Sequence, residues 1–280
     1  MELNSYIDGI ERKAAESIKA EEGDFIGEDG LLYCGKCGTK KQTRVFIFDK
    51  ERTPYCLCKC AVEKRDREEE ERKRVEFLER IKKYRKVGFP ESKMETWTFA
   101  NSDGDNEKIM KAMQNYVNNF DELRKQGKGL LLFGTVGTGK TYAAACIANA
   151  LIDKGIPVLM TNFARIANTV SGMFEGKQEY YDSLNRFPLL ILDDLSAERK
   201  TDYMQEIVFN VIDSRYRAGL PLIVTTNLTS DELKNPQDIS YQRTFSRLLE
   251  ICLPVRMEGK DKRRERLKED IQPMKDLLGL

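Results

Sequence analysis

The sequence predicts an α/β fold, a five-stranded parallel sheet with helices on both faces, preceded by a small cysteine-rich module and a charged helix. Short apolar runs with the composition of buried strands recur at 130–133, 158–161, 189–192, 222–225 and 252–255. The stretches between them, such as 141–154 and 202–218, are long enough for the crossover helices that join parallel strands. Most cysteines cluster ahead of a segment dense in Glu, Lys and Arg.

The charged segment marks the expected boundary between the two parts of the chain. Residues 61–87 are rich in charges and are followed directly by Gly88, Phe89 and Pro90. Such a run, stopped by Gly and Pro, indicates a helix. We therefore expect three parts, namely a cysteine-rich module, a helical linker and the α/β domain, over 1–60, 61–90 and 91–280.

Composition narrows the class of protein. Charged residues make up 33% of the 280 residues, and no apolar run approaches the roughly 18 residues that span a bilayer. The first residues lack an apolar stretch behind a basic start, so we expect a cytoplasmic, reducing location without membrane contact. Histidine is absent, which excludes serine–histidine and cysteine–histidine hydrolases. Because the net charge is only +1, any binding of nucleic acid must come from local clusters of basic residues.

A Gly-rich loop follows the first predicted strand. Residues 134–141, GTVGTGKT, match the phosphate-binding pattern G-x4-G-K-[ST]. Backbone N–H groups of such a loop face a phosphate chain, and the next helix presents its positive N-terminus to it. We expect Lys140 to reach the β and γ phosphates of ATP, and Thr141 to place its hydroxyl on Mg²⁺. The predicted nucleotide-binding residues are Gly134, Thr135, Val136, Gly137, Thr138, Gly139, Lys140, Thr141 and Tyr142.

Two further predicted strands end in polar residues. The run before Asp193 and Asp194 has the Walker B pattern, in which Asp193 holds Mg²⁺ and Asp194 orients or activates the attacking water. Glu198 is a weaker alternative for that second role. The next strand ends in Asn227, at the edge where wound sheets bind ligands. An amide there can hold both water and the γ-phosphate without titrating.

The order GTVGTGKT, LLILDDL, VTTN and RTFSRL resembles the DnaC/IstB family of AAA+ ATPases over about residues 90–270. The resemblance implies a RecA-like core that hydrolyses ATP, forms a homo-oligomer with ATP and binds single-stranded DNA. It also implies a role in loading a hexameric replicative helicase or in assisting a transposase. An arginine of the RTFSRL segment is expected in the neighbour's ATP site, either Arg243 or Arg247, with Arg247 narrowly favoured. Arg263 resembles a sensor 2 contact to phosphate.

Two segments are candidates for contact with nucleic acid. Residues 162–187 interleave cations and rings that suit single strands, although the rings could equally pack in the core. These residues are Phe163, Arg165, Phe174, Lys177, Tyr180, Tyr181 and Arg186. The second segment, 256–268, has an excess of basic residues that could face a phosphate backbone or simply be solvated.

The clustered cysteines predict a zinc site. Cys34 and Cys37 form one half, with the two-residue spacing that suits tetrahedral thiolate binding. Cys56, Cys58 and Cys60 compete for the other two places. The resemblance to loaders with a similar front module favours Cys58 and Cys60, with Cys56 in reserve. Zinc is preferred to a disulfide because the expected location is reducing, and an iron–sulfur cluster ranks lower.

Four functions therefore remain for comparison. The first is an ATP-dependent helicase loader in DNA replication, and the second is a transposition helper of the IstB type. The third, a small-molecule P-loop kinase, is disfavoured by the paired Asp193 and Asp194, by Asn227 and by the late arginines. The fourth is an adaptor that binds ATP without hydrolysing it.

Overall fold

The computed structural model of the protein describes residues 20–47, 50–102, 106–195, 201–236 and 239–279. The chain divides into two compact units, Met1–Leu78 and Glu79–Leu280. Among the described residues, no helix is both long enough and apolar enough to cross a membrane.

The first unit contains short antiparallel strand pairs and the start of a long helix. Strand β1 pairs with β2 and β3 pairs with β4, over Phe25–Ile26, Leu32–Tyr33, Val45–Ile47 and Lys50–Arg52. Helix α1 runs over Lys59–Gly88 and includes the predicted charged segment. Its side chains are mostly exposed and carry i,i+4 ion pairs such as Glu69–Lys73 at 2.7 Å, which solvent screens.

The boundary between the units falls within α1, before the position near residue 90 that the sequence suggested. Ile81 and Tyr84, in the last turns of the helix, pack against the core of the second unit. Arg85 donates to Asn149 Oδ1 at 2.7 Å and forms an ion pair with Asp153. These contacts attach the end of the helix to the second unit.

The second unit is built on a parallel sheet of the strands β5 Gly129–Phe133, β6 Val158–Asn162, β7 Leu189–Leu195, β8 Leu222–Thr226 and β9 Cys252–Arg256. Their order across the sheet is β6-β7-β8-β5-β9. The α/β prediction is confirmed, and every predicted apolar run lies in a strand. Gly129, which opens β5, is required there because a Cβ atom would lie 1.7 Å from the carbonyl oxygen of Leu222.

Helices cover both faces of this sheet. Side chains alternate along β5, so Leu130 and Leu132 enter one apolar core while Leu131 and Phe133 enter the other. Each fully buried leucine contributes about 1.5–3 kcal/mol to folding. The second-unit helices are α2 Glu107–Asn118, α3 Phe120–Lys125, α4 Lys140–Asp153, α5 Phe163–Ser171, α6 Lys177–Ser183, α7 Asp202–Arg217, α8 Ser230–Lys234, α9 Ile239–Ile251 and α10 Lys262–Leu278.

Two of these helices were predicted as crossovers. Helix α4 corresponds to the predicted 141–154 and helix α7 to 202–218. Four alanines of α4 are fully buried, and their small side chains allow the helix to lie close to the sheet; they are Ala143, Ala144, Ala145 and Ala148. Its N-terminus therefore lies at the carboxyl end of β5, where the Gly-rich loop leaves the strand.

Candidate nucleotide site and cysteine cluster

A cavity of about 620 Å³ opens at the carboxyl ends of β5, β7 and β8. This volume is typical of pockets that hold a ligand of nucleotide size. The Gly-rich loop forms one wall, and the opposite wall contains residues that follow the other strands. The predicted residues that line the cavity are Val136, Gly137, Thr138, Gly139, Lys140, Thr141, Tyr142, Asp193, Asp194, Asn227 and Arg263.

The loop has the conformation that its glycines predict. Gly137 has φ +82°, and a Cβ atom there would lie 2.1 Å from Asp261 Oδ1, so a larger residue does not fit. Lys140 is buried, and its ammonium donates to the carbonyl oxygens of Gly134 at 2.8 Å and Thr135 at 2.7 Å. Burial lowers the pKa of Lys140, while the nearby carboxylates raise it. A phosphate group would be a stronger partner than two carbonyls for this cation.

Oxygen ligands suitable for a divalent cation meet beside the loop. The hydroxyl group of Thr225 donates to Asp193 Oδ1 at 2.7 Å, and Thr141 lies in the cavity wall beside the same carboxylate. Burial raises the pKa of Asp193, and the hydroxyl groups of Thr225 and Thr141 oppose the rise. Carboxylate and hydroxyl oxygens are the hard ligands that Mg²⁺ binds, so Thr141 and Asp193 fit this ion.

Asp194 has an unusual backbone conformation at the end of β7. Its φ of +61° is in the left-handed region, and the pairing of β7 with β8 shifts register between Leu192 and Leu195. A non-glycine residue in this region costs of order 1–3 kcal/mol, and such strain clusters at functional sites. The side-chain amide of Asn227 donates to Asp194 Oδ1 at 3.0 Å. The sequence-predicted carboxylate and amide are therefore in direct contact.

The two candidate arginines of α9 do not line the described part of the cavity. Arg247, the narrowly favoured residue, forms an ion pair with Asp213 of α7 and stacks over Phe209 at 4.8 Å. Asp213 also binds Arg217 at 2.9 Å. Arg243 is exposed and forms no ion pair with any residue of the described ranges. The structure thus gives Arg247 a partner within its own chain and leaves Arg243 accessible.

Arg263 lies beside the loop because α10 begins there. Asp261 caps this helix by accepting from the backbone N–H of Arg263 at 3.0 Å and of Arg264 at 3.4 Å. The backbone N–H of Lys262 donates to the carbonyl oxygen of Gly137 at 3.2 Å. These bonds attach the start of α10 to the phosphate loop.

Sequence reasoning missed part of the cavity wall. Trp97, the single tryptophan of the chain, lies 5.7 Å from the ring of Tyr142, and Met94 and Met257 complete an apolar side. The Tyr142 hydroxyl donates to the carbonyl oxygen of Thr98 at 2.8 Å, which fixes the ring beside this segment. Thr225, described above, was also missed. Trp97 lies outside the motifs recognised in the sequence, and Thr225 lies within VTTN, where the sequence indicated a role only for Asn227.

The four favoured cysteines meet in the first unit. The sulfur atoms of Cys34, Cys37, Cys58 and Cys60 all lie within 4.8 Å of one another, while Cys56 contacts the carbonyl oxygen of Lys40 at 3.6 Å. The Cys34–Cys60 separation is 3.6 Å, close to the roughly 3.8 Å expected between sulfurs of a tetrahedral zinc site. Hydrogen bonding among the thiols raises the pKa of Cys60 to about 12, whereas hydrogen bonds lower that of Cys37 to about 5. The four residues fit zinc.

The remaining candidates separate into core and surface. Phe163 and Tyr181 are buried in the apolar core, so they pack as the alternative interpretation expected. Phe174 is fully exposed between α5 and α6. Arg256 forms an ion pair with Glu258 at 2.9 Å. Glu198 lies outside the described residues.

The fold and this site define a P-loop ATP-binding protein of the AAA+ class. The sequence model of the family described as IstB-like ATP binding protein matches residues 60–269, and the chain belongs to that family. The chain is 28% identical over 160 residues to the replicative helicase loader DnaI of Bacillus subtilis, a match that covers 53% of this chain and 51% of DnaI. It is 34% identical over 112 residues to a putative insertion sequence ATP-binding protein of Sinorhizobium fredii, covering 38% of this chain and 36% of that protein.

Comparison with solved structures agrees with this classification of the fold. A crystal structure of DnaI superposes with a TM-score of 0.53 at 22% identity, covering 64% of this chain and 98% of the DnaI chain in that structure. At this identity the likeness concerns the fold. The chain spans about half the length of its DnaI relative and about a third of the insertion sequence protein.

Proposed function

We propose that this protein is a cytoplasmic, ATP-hydrolysing helicase loader that acts in DNA replication. In this proposal it binds single-stranded DNA and docks on a hexameric replicative helicase. The observation that carries it is the meeting of Lys140, Thr141, Asp193, Asp194 and Asn227 around one cavity, in a chain whose relative is named a replicative helicase loader.

The site supports a division of labour during hydrolysis. Backbone N–H groups of residues 134–141 and the N-terminus of α4 would hold the phosphates of ATP, and Lys140 would exchange carbonyl oxygens for phosphate oxygens. Thr141 and Asp193 would hold Mg²⁺, which neutralises phosphate charge when bound. Asp194 would orient the attacking water and accept its proton, and Asn227 would fix the Asp194 carboxylate and the water.

The arginines support hydrolysis that depends on assembly. Because neither arginine of α9 lines its own chain's described cavity, either of them could reach a γ-phosphate only in the site of a second subunit. Arg243 suits this role better than Arg247, since Arg247 is bound to Asp213. A guanidinium supplied in trans stabilises charge on the transferred phosphoryl group, which raises the rate of hydrolysis about 10³–10⁵-fold. We therefore propose an ATP-dependent homo-oligomer.

The first unit would serve as a zinc-stabilised docking module. Few of its residues are buried, so a metal held by Cys34, Cys37, Cys58 and Cys60 would supply much of its folding free energy. In the second unit, the exposed ring of Phe174, three positions before Lys177 in the sequence, supports contact with single-stranded DNA, because bases stack on rings while cations bind phosphates.

The test measures ATP turnover and assembly with single-stranded DNA, with duplex DNA and with the replicative helicase of the host. We expect single strands or the helicase to stimulate turnover and to change the assembly state. We expect Phe174→Ala to weaken the response to single strands by about tenfold, the effect of one lost stacking contact. The proposal is rejected if neither single strands nor helicase changes turnover or assembly of a protein that binds ATP.

A second candidate is a helper ATPase for transposition. The family description and the similarity to the insertion sequence protein of Sinorhizobium fredii support it. The same experiment separates the two functions, since a transposition helper acts on duplex DNA. Stimulation by duplex DNA, with no effect of single strands or helicase, would favour this candidate.

A further inference from the structure

Thr225 connects the two carboxylates of the nucleotide site. Its hydroxyl donates to Asp193 Oδ1 at 2.7 Å and accepts from the backbone N–H of Asp194 at 2.9 Å. Thr225 is 1% exposed, so water does not compete for these bonds. One hydroxyl therefore fixes a side chain and a backbone group of adjacent residues on the neighbouring strand.

The position of Thr225 follows from the irregular pairing of β7 with β8. Leu192 pairs with Val224 and Leu195 pairs with Thr226, so the strands shift register across Asp193 and Asp194. This irregularity coincides with the left-handed backbone of Asp194, whose N–H is bound by the threonine hydroxyl. A strand irregularity next to a functional site typically redirects a side chain. Here it directs Asp194 toward Asn227.

We propose that Thr225 is a positioning residue that orients Asp193 for Mg²⁺ and holds Asp194 in its left-handed conformation. The inference rests on the proposed nucleotide function. Because the hydroxyl accepts from Asp194, its own proton points to Asp193 Oδ1. The other oxygen of Asp193 would then be left for Mg²⁺. Loss of a hydrogen-bond partner that orients a metal ligand typically lowers metal affinity or activity about 10–100-fold.

Thr226 provides a matched control on the same strand. It is also fully buried, and its hydroxyl donates to the carbonyl oxygen of Leu195 at 2.7 Å and accepts from the N–H of Leu228 at 3.1 Å. Replacement of either threonine by valine keeps the shape and removes a buried hydroxyl. The hydroxyl of Thr225 donates to the Asp193 carboxylate, whereas the hydroxyl of Thr226 donates to a backbone carbonyl.

The experiment uses the full chain and a fluorescent, non-hydrolysable ATP analogue, titrated with Mg²⁺. We expect Thr225→Val to raise the Mg²⁺ concentration for half-maximal binding about tenfold or more and to lower kcat to a similar extent. Analogue affinity in EDTA should stay within about threefold of the wild type, because the phosphate loop is unchanged. Thr225→Ser should restore the Mg²⁺ dependence, and Thr226→Val should leave it within about threefold.

The inference is overturned if wild type and Thr225→Val have the same Mg²⁺ dependence, or if both valine variants shift it equally. Thermal melting checks the fold, and Thr225→Ala is judged by the same criteria if Thr225→Val does not fold. A wild type that binds no analogue rejects the proposed function together with this inference. If the wild type binds the analogue with Mg²⁺ but Thr225→Val and Thr226→Val have the same Mg²⁺ dependence, the inference alone is rejected.

Discussion

The side-chain amide of Asn227 donates to Asp194 Oδ1 across 3.0 Å, and Asp194 has a left-handed backbone with φ +61°. The two residues follow neighbouring strands, and both line the cavity beside the phosphate loop. Strained backbone of this kind persists only where surrounding contacts hold it. The contact therefore supports a carboxylate held ready at the expected position of the γ-phosphate.

Replacement of Asp194 by Asn should separate binding from hydrolysis. Asparagine tolerates the left-handed backbone, so the fold should be kept. It cannot accept a proton from water, and general-base catalysis contributes typically 10²–10⁴-fold. We expect ATP to bind within about threefold of the wild type, with turnover reduced about 100-fold or more. Filter binding and phosphate release measure the two effects. Wild-type turnover in this variant would remove Asp194 from the proposed mechanism.

The two arginines of α9 should differ in their effects. Arg243 is exposed, so Arg243→Ala should change stability by less than about 0.5 kcal/mol, bind ATP and hydrolyse it poorly. Arg247→Ala removes an ion pair with Asp213 and a stacking contact, and should cost about 1–3 kcal/mol of unfolding free energy. Thermal melting and turnover measure these effects.

A mixing experiment tests whether Arg243 acts between subunits. Lys140→Ala subunits should not bind ATP but carry an intact Arg243. Mixed with Arg243→Ala, they should restore part of the turnover, because each intact ATP site then receives an arginine from its neighbour. No restoration, together with normal assembly, would contradict action in trans.

The cysteine site makes a prediction about metal content. The wild type and Cys56→Ser should retain one zinc ion per chain, since Cys56 lies outside the cluster of four. Serine at position 34, 37, 58 or 60 removes a thiolate ligand and should abolish stoichiometric zinc binding. Mass spectrometry of the desalted proteins measures the metal. Loss of zinc in Cys56→Ser alone would show that the ligands are assigned incorrectly.

A buried ion pair beside Cys34 gives a prediction about pH. Asp24 binds Lys41 at 2.6 Å and accepts from the N–H groups of Glu21 and Gly35. The Lys41 ammonium and these hydrogen bonds lower the pKa of Asp24 from 3.8 to about 2. Its stabilising effect is therefore complete above the unfolded pKa of 3.8 and lost as the pH falls toward 2.

Asp24→Asn should therefore lower the urea concentration that releases half of the bound zinc, by the same amount at pH 6 and pH 8. Asp24 is ionised in both folded and unfolded chains across that range. Asp29→Asn is the control, because the Asp29–Lys40 pair is more exposed and should matter less. A difference that grows between pH 6 and pH 8 would contradict the proposed origin of the stabilisation.

The sequence predicted the strands because each is an apolar run bounded by polar residues, and it identified the loop from its fixed spacing. The cysteine spacing alone left Cys56 open, and the fold brings Cys58 and Cys60 to Cys34 instead. Asp213 lies far from Arg247 in sequence, and only the packing of α7 against α9 brings them together. Trp97 belongs to no recognised motif and Thr225 is a residue of VTTN without an assigned role, and only the folded chain places both at the cavity.

The most direct test of the central claim is calorimetric titration of the protein with ATP, with and without Mg²⁺. We predict one magnesium-dependent site per chain in the wild type. We predict none in Lys140→Ala, because this variant lacks the ammonium group that lies buried against the phosphate loop. Folded wild-type protein that binds no ATP in the presence of Mg²⁺, or a Lys140→Ala variant that binds it equally well, would contradict the account.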